Sequence, residues 1–232
     1  SKILGNNNIY AADGSVALGG GLRAGGERLE FYDVIIDGNH SRDEGGGIFF
    51  ETSDKIVMHN VRITNNSAEV EGGGVRMSTY DGDFRNITIA DNYAPEESGI
   101  SFGRCDNCTW TNTIIWDNDI GNDGWGGNID NPSYSNILEF DPEFVNPVPY
   151  DSSGNYTPLS DLAIGKGDID NIWYGVNQDG MPVDMGYTGG PFYSIKNFGN
   201  ALDEEEISFG TVGPLGSTLP LTIINYSKEN EI

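Results

Sequence analysis

Arg23, Glu51 and Arg76 are the first residues whose types and spacing suggest chemistry. Arg23 and Arg76 follow glycine triplets at matching places, and Glu51 lies two residues beyond a third triplet's Phe49 partner. If alternate residues point the same way, the three share one outward face, able to grip an acidic sugar. An ordinary solvated sheet face carries the same residue types. With 36 acidic residues in the chain, chance carboxylate pairs are expected, so the two-carboxylate requirement of a glycosidase decides nothing here. Asp117, Asp119, Asn122 and Asp123 crowd into one loop. Calcium wants such a set of carboxylate and carbonyl oxygens, yet the spacing fits no EF-hand, and Asp, Asn and Gly are what any turn prefers. Trp125, next to this loop, either offers a ring to a sugar or covers the end of a core. Cys105 and Cys108 are the only cysteines. A CxxC pair can be redox-active, hold half a metal site or close a local disulfide. A zinc site needs two more ligands, and His40 and His59 sit in other stretches. We expect a disulfide pinning a turn, which suits an oxidising extracellular compartment; free or reactive thiols are the alternative. No serine or cysteine nucleophile constellation and no lysine-bearing phosphate loop is present.

The elements that must position these residues repeat. The triplet copies end at Gly21, Gly47, Gly74 and, in a worn form, Gly99, giving steps of 26, 27 and 25 residues. A second marker ends at Asn39, Asn66, Asn92 and Asn118, with steps of 27, 26 and 26. Two markers holding one period define stacked repeats. Within each copy apolar residues alternate, as in Ile48 and Phe50, Val75 and Met77, Val61 and Ile63, Ile87 and Ile89. Period two means strand, and no copy has a helix-length stretch of helical spacing. Each repeat is too small to bury its own apolar face, so copies stack at about 4.8 Å into an all-β parallel β-helix of about five coils. Asp33, Asn60, Asn86 and Asn112 then lie above one another at one turn, and Asn39, Asn66, Asn92 and Asn118 at another. Stacked amides of this kind can hydrogen-bond along the axis. We read both rows as structural. The glycines supply positive φ and room at the entry to the next strand.

Composition narrows the partners. Twelve basic against 36 acidic residues give a formal charge of −24. Such a surface repels nucleic acid and anionic membranes and attracts cations. No apolar run is long enough to span a bilayer, and no signal peptide is visible. The chain opens on Ser1 within the pattern, which leads us to expect an excised or processed piece of a larger protein. Residues 1–27 read as a looser first turn whose exposed strand edges invite association.

Beyond residue 131 the period fails. Asp141-Pro142-Glu143-Phe144-Val145, then Leu159-Ser160-Asp161-Leu162-Ala163-Ile164-Gly165-Lys166-Gly167, then Asp179-Gly180-Met181-Pro182-Val183-Asp184-Met185-Gly186 follow in order. Residues 132–190 resemble the choice-of-anchor Q capping region of bacterial right-handed β-helix surface proteins, and the coils of residues 1–131 resemble that family's repeats. Asp161, Gly165 and Val183 depart from its usual proline, aspartate and arginine. The resemblance implies a secreted or surface-displayed bacterial protein. It implies no particular reaction, because the family includes adhesin-like proteins and relatives of polysaccharide lyases. Physically, the apolar Phe144, Leu159, Leu162 and Ile164 are suited to plugging the open end of the solenoid. After a linker at 191–201, residues 202–232 resemble the first strands of an immunoglobulin-like sandwich, which needs about 100 residues in full.

Polysaccharide lyases of this architecture generally use a lysine or arginine base beside acidic calcium ligands. Lys55 is the only lysine between Lys2 and Lys166, and neither an Asp-Asp nor an Arg-Ile-Lys signature of pectin-degrading families is present. The expectation is an extracellular structural or adhesive segment, without catalysis, that stacks on copies of itself or on adjoining domains, with calcium as a possible ligand. The alternative is a carbohydrate-active enzyme or glycan-binding module acting on acidic polysaccharide through Arg23, Glu51, Arg76 and Trp125.

Overall fold

The computed structural model describes residues 1–8, 17–118, 125–127, 133–138, 141–144, 155–167 and 183–189. Among these residues there are strands and no helix, and therefore no helix long and apolar enough to cross a membrane. Four short strands open the early coils: β1 (Lys2–Leu4), β2 (Asn7–Asn8), β3 (Leu22–Ala24) and, after β4 (Arg28–Asp37) and β5 (His40–Ser41), β6 (Ile48–Phe50). The longer strands are β7 (Ser53–Thr64), β9 (Val75–Ala90) and β10 (Ile100–Trp116), with β8 (Ser67–Ala68) between the first two. β11 (Trp125–Gly127) and β12 (Ser133–Leu138) follow. Among the described residues every strand pairing is parallel. β1, β4, β7, β9, β10 and β11 run in that order, β3 and β6 extend the same sheet system, and β2, β5 and β8 form a separate short ladder.

The register is that of a β-solenoid of about four turns, one fewer than expected from the sequence. Val34 pairs with Val61 and Val61 with Ile87, so residues about 26 apart in sequence are one layer apart in space. Each coil presents three strand faces. The first comprises 22–24, 48–50, 75–77 and 100–102. The second comprises 28–32, 55–59, 81–85 and 107–111, and the third 34–37, 61–64, 87–90 and 113–116. Inward columns make the core. Phe31, Met58, Phe84 and Trp110 stack on the second face, and Ile36, Ile63, Ile89 and Ile115 on the third. Each fully buried aliphatic or aromatic side chain of this kind contributes roughly 1.5–3 kcal/mol, which a single coil could not collect alone.

The two amide rows do different jobs. Asp33, Asn60, Asn86 and Asn112 all have φ between 52° and 59°, the left-handed region that Asn and Asp tolerate best after glycine. They bend each long strand from the second face to the third. The other row is a hydrogen-bonded ladder. Asn39 Nδ2 donates to Asn66 Oδ1 at 2.9 Å, Asn66 to Asn92 at 3.0 Å, and Asn92 to Asn118 at 2.9 Å. Asn6, which the period did not flag, extends it by donating to Asn39 at 2.9 Å. Asn39, Asn66, Asn92 and Asn118 each also donate to a main-chain carbonyl of the preceding layer, as Asn66 does to Ile36 at 3.0 Å. Of each glycine triplet only the first residue needs positive φ, with Gly45 at 67° and Gly72 at 65°. The middle one is a packing requirement. A Cβ on Gly46 would lie 2.3 Å from the carbonyl oxygens of Gly73 and Ser67.

The described residues between 141 and 189 do not lie where the expected end plug would place them. Ala163, Met185 and Phe144 pack on Ile114 and Trp116, while Tyr156 and Tyr187 pack on Ala90, all on the outer side of the third face. Gly186 N–H donates to the Asn112 carbonyl at 2.8 Å, and Tyr187 N–H to Thr88 Oγ1 at 3.0 Å. Leu159, Leu162 and Ile164, expected to plug the end, are 52%, 53% and 42% exposed. The described part of this region is therefore a flank cover. Its cause is visible in β10, where Ile114 and Trp116 point outward and require an apolar partner on a face that would otherwise meet water. The linker and the immunoglobulin-like expectation for 191–232 lie outside the described residues.

Candidate functional site

The first face carries the arginines singled out from sequence. Its outward column is Arg23, Phe49, Arg76 and Ser101, as the glycine alignment predicts. Arg23 pairs with Glu51 at 2.7 Å in the open, both about half exposed, and its guanidinium lies over the Phe49 ring at 5.9 Å. Arg76 turns away from that pair. Its Nε donates to Glu71 Oε1 at 2.7 Å and lies 3.3 Å from Glu44 Oε2, and Ser101 Oγ donates to Glu71 Oε2 at 2.9 Å. Burial, then the neighbouring Glu71, push the Glu44 carboxyl above its usual range. The three predicted residues thus lie along one face but form two separate ion-paired groups.

The second face holds a denser constellation that sequence spacing did not single out. Lys55 Nζ pairs with Asp81 Oδ2 at 2.7 Å. Asp83 accepts from Arg85 Nε at 2.6 Å and faces His59 Nε2 at 3.4 Å. Tyr32 meets the His59 ring edge to face at 5.3 Å, and its hydroxyl donates to Glu30 at 3.2 Å. Glu30 also pairs with Arg28. Burial pushes the Asp83 carboxyl up, but the adjacent His59 ring and the hydrogen bond from Arg85 outweigh it and hold the carboxyl down at about 2. The signal was present in the register: the columns Tyr32, His59, Arg85 and Glu30, Val57, Asp83 follow once the coils are aligned.

The third face is covered and highly polar beneath its cover. Arg62 pairs with Asp37 at 3.0 Å with side chains only 4% and 0% exposed. Thr64 Oγ1 donates to the same carboxylate at 2.6 Å. The Arg62 guanidinium lies close to two rings from beyond the coils, 5.0 Å from Tyr156 and 5.6 Å from Tyr187. Tyr156 Oη donates to Asp91 Oδ2 at 2.5 Å and lies 3.2 Å from Asn65 Oδ1. Burial raises the Asp91 carboxyl, with Asp117 and Asp37 adding to the effect, and burial beside Asp91 raises the Tyr156 hydroxyl. This is a latch between coil and flank cover.

The remaining sequence candidates fall as follows. Cys105 and Cys108 form a disulfide, both half-cystines in the core. It sits inside β10 at the corner between the first and second faces, paired across to Thr79 and Gly82. Asp117 is exposed with φ 49°, in the left-handed turn column that also holds Asn65 and Asp91. The Asn118 amide belongs to the ladder. Asp119, Asn122 and Asp123 lie outside the described residues, and among the described residues no group of three or more His, Cys, Asp or Glu could hold a metal ion. Trp125 takes the register position of Ile100, in the column of Leu22, Ile48 and Val75.

The registers define a parallel β-solenoid, and among the described residues one flank is covered and the other two faces carry ion pairs. Compared with family models, characterised proteins and solved structures, the chain gives no match. The likeness of 132–190 to a surface-protein cap accordingly rests on its motif residues.

Proposed function

We propose that this chain is an extracellular structural and adhesive β-solenoid segment of a bacterial surface protein, without catalytic activity. One observation carries the reading. The acids and bases of the open faces engage one another: Arg23 with Glu51, Arg76 with Glu71, Lys55 with Asp81, Arg85 with Asp83. Catalytic groups need to be poised toward a reacting atom, whereas these are committed to neighbours in the same wall. The Asn ladder, the Cys105–Cys108 bridge and the Arg62 latch add rigidity, the property a stalk needs. A disulfide suits an oxidising compartment, and the −24 charge favours solubility and cation attraction. Calcium at Asp117, Asp119, Asn122 and Asp123, and stacking on copies of itself or adjoining domains, belong to this proposal.

The test is a depolymerisation screen of the intact chain over pectate, alginate and glycosaminoglycans, with and without calcium. No product from any polymer is expected. Product formation that disappears in Arg76→Ala would replace the structural reading with a carbohydrate-active enzyme on the first face.

A further inference from the structure

We propose that the second face is a binding site for a neutral polysaccharide lying along the solenoid axis. The inference rests on the adhesive reading above and gives it a ligand. Outward residues repeat there at the coil spacing of about 4.8 Å, so Tyr32, His59 and Arg85 form one line of groups and Lys55 and Asp81 part of another. These side chains are already held. His59 is 12% exposed, Asp83 24% and Arg85 28%, each fixed by the contacts described above. A surface ordered in advance loses little side-chain entropy when a ligand docks. Carboxylate, guanidinium and ammonium groups supply both acceptors and donors for vicinal hydroxyls. Tyr32 is 41% exposed at the edge of this cluster, a large ring left in water beside polar partners. Such a ring suits the apolar C–H side of a pyranose.

Charge selects the class of glycan. Lys55 and Arg85 cancel Asp81 and Asp83 on this face, within a chain of net charge −24. A polyuronate, a sulfated chain or a nucleic acid would meet a negative overall field and no compensating positive patch. A neutral, hydroxyl-rich chain meets donors and acceptors without that repulsion. The first face is less suited, because Arg76 is drawn to Glu44 and Glu71, and the third is covered by Tyr156 and Tyr187.

The experiment is affinity electrophoresis and titration calorimetry of the intact chain. The neutral probes are mixed-linkage glucan, arabinoxylan and galactomannan, and the polyanions are pectate and alginate. Binding to at least one neutral polymer is expected. Tyr32→Ala should weaken it by about tenfold or more with an unchanged unfolding curve, and Phe49→Ala, an aromatic change on the first face, should leave it intact. Binding to none of the five polymers, binding to polyanions alone, or an unaffected Tyr32→Ala variant would overturn the inference. None of those outcomes touches the structural reading, which turns on depolymerisation.

Discussion

Replacing Arg62 by Met separates the latch from the solenoid while keeping an aliphatic stem in place. The wild-type guanidinium is 4% exposed and pairs with a fully buried Asp37 at 3.0 Å. Removing one partner of such a pair strands the other charge, at a cost of about 3–5 kcal/mol. The stacked contacts with Tyr156 and Tyr187 add to the loss, each up to about 2 kcal/mol when desolvated, although Met recovers part of this by packing. A net loss of about 4 kcal/mol is expected, which for a domain of this size lowers the melting temperature by roughly 8–16 °C. Urea unfolding followed by tyrosine and tryptophan fluorescence and by circular dichroism measures it. Adding Asp37→Asn to Arg62→Met should return a substantial part of the loss, because no buried charge is then left unpaired. A loss under about 1 kcal/mol, or a double variant no more stable than the single one, would refute the buried pair as the fastening of the flank cover.

Other perturbations read other parts of the wall. Asn66→Ala removes the acceptor of the Asn39 main-chain N–H at 3.0 Å and the donor to Ile36; each buried group left unsatisfied costs about 1–3 kcal/mol, so a fall of at least 2 kcal/mol in urea unfolding is expected. Gly46→Ala places a methyl group 2.3 Å from two main-chain oxygens, and an insoluble or unfolded product on expression is the outcome expected, with a well-folded variant contradicting the tight stacking of triplets. Asp83, held from 3.8 down to about 2, stabilises the fold above its unfolded acidity. About 2 kcal/mol of stability should be lost as pH falls from about 4 to about 2, and Asp83→Asn should flatten that part of the stability profile.

The coils were legible because their signals are local and periodic. Glycine triplets and closing asparagines each mark one corner, and together they fix the register that places Val34 beside Val61 and Ile87. The distinction between the two Asn rows was not legible: the same residue type serves a left-handed bend at Asn60 and a ladder amide at Asn66, and only backbone geometry separates them. The flank cover was misjudged because Leu159, Leu162 and Ile164 are apolar, as a plug should be, yet they face water. The better clue was the run Ile114-Ile115-Trp116, apolar on both alternate positions, which calls for cover on both sides. The second-face cluster was missed for a different reason. Lys55 with Asp81 and His59 with Asp83 are separated by a full coil, so they become neighbours only after the register is applied to outward residues as well as inward ones.

The claim on which all of this depends is the in-register stacking of successive coils. Nuclear Overhauser contacts among the side-chain amides of Asn39, Asn66 and Asn92, recorded on isotopically labelled protein, test it most directly. Cross-peaks linking Asn39 to Asn66 and Asn66 to Asn92, with amide protons protected from solvent exchange, are the predicted result. Sharp, rapidly exchanging amides without such cross-peaks would contradict it.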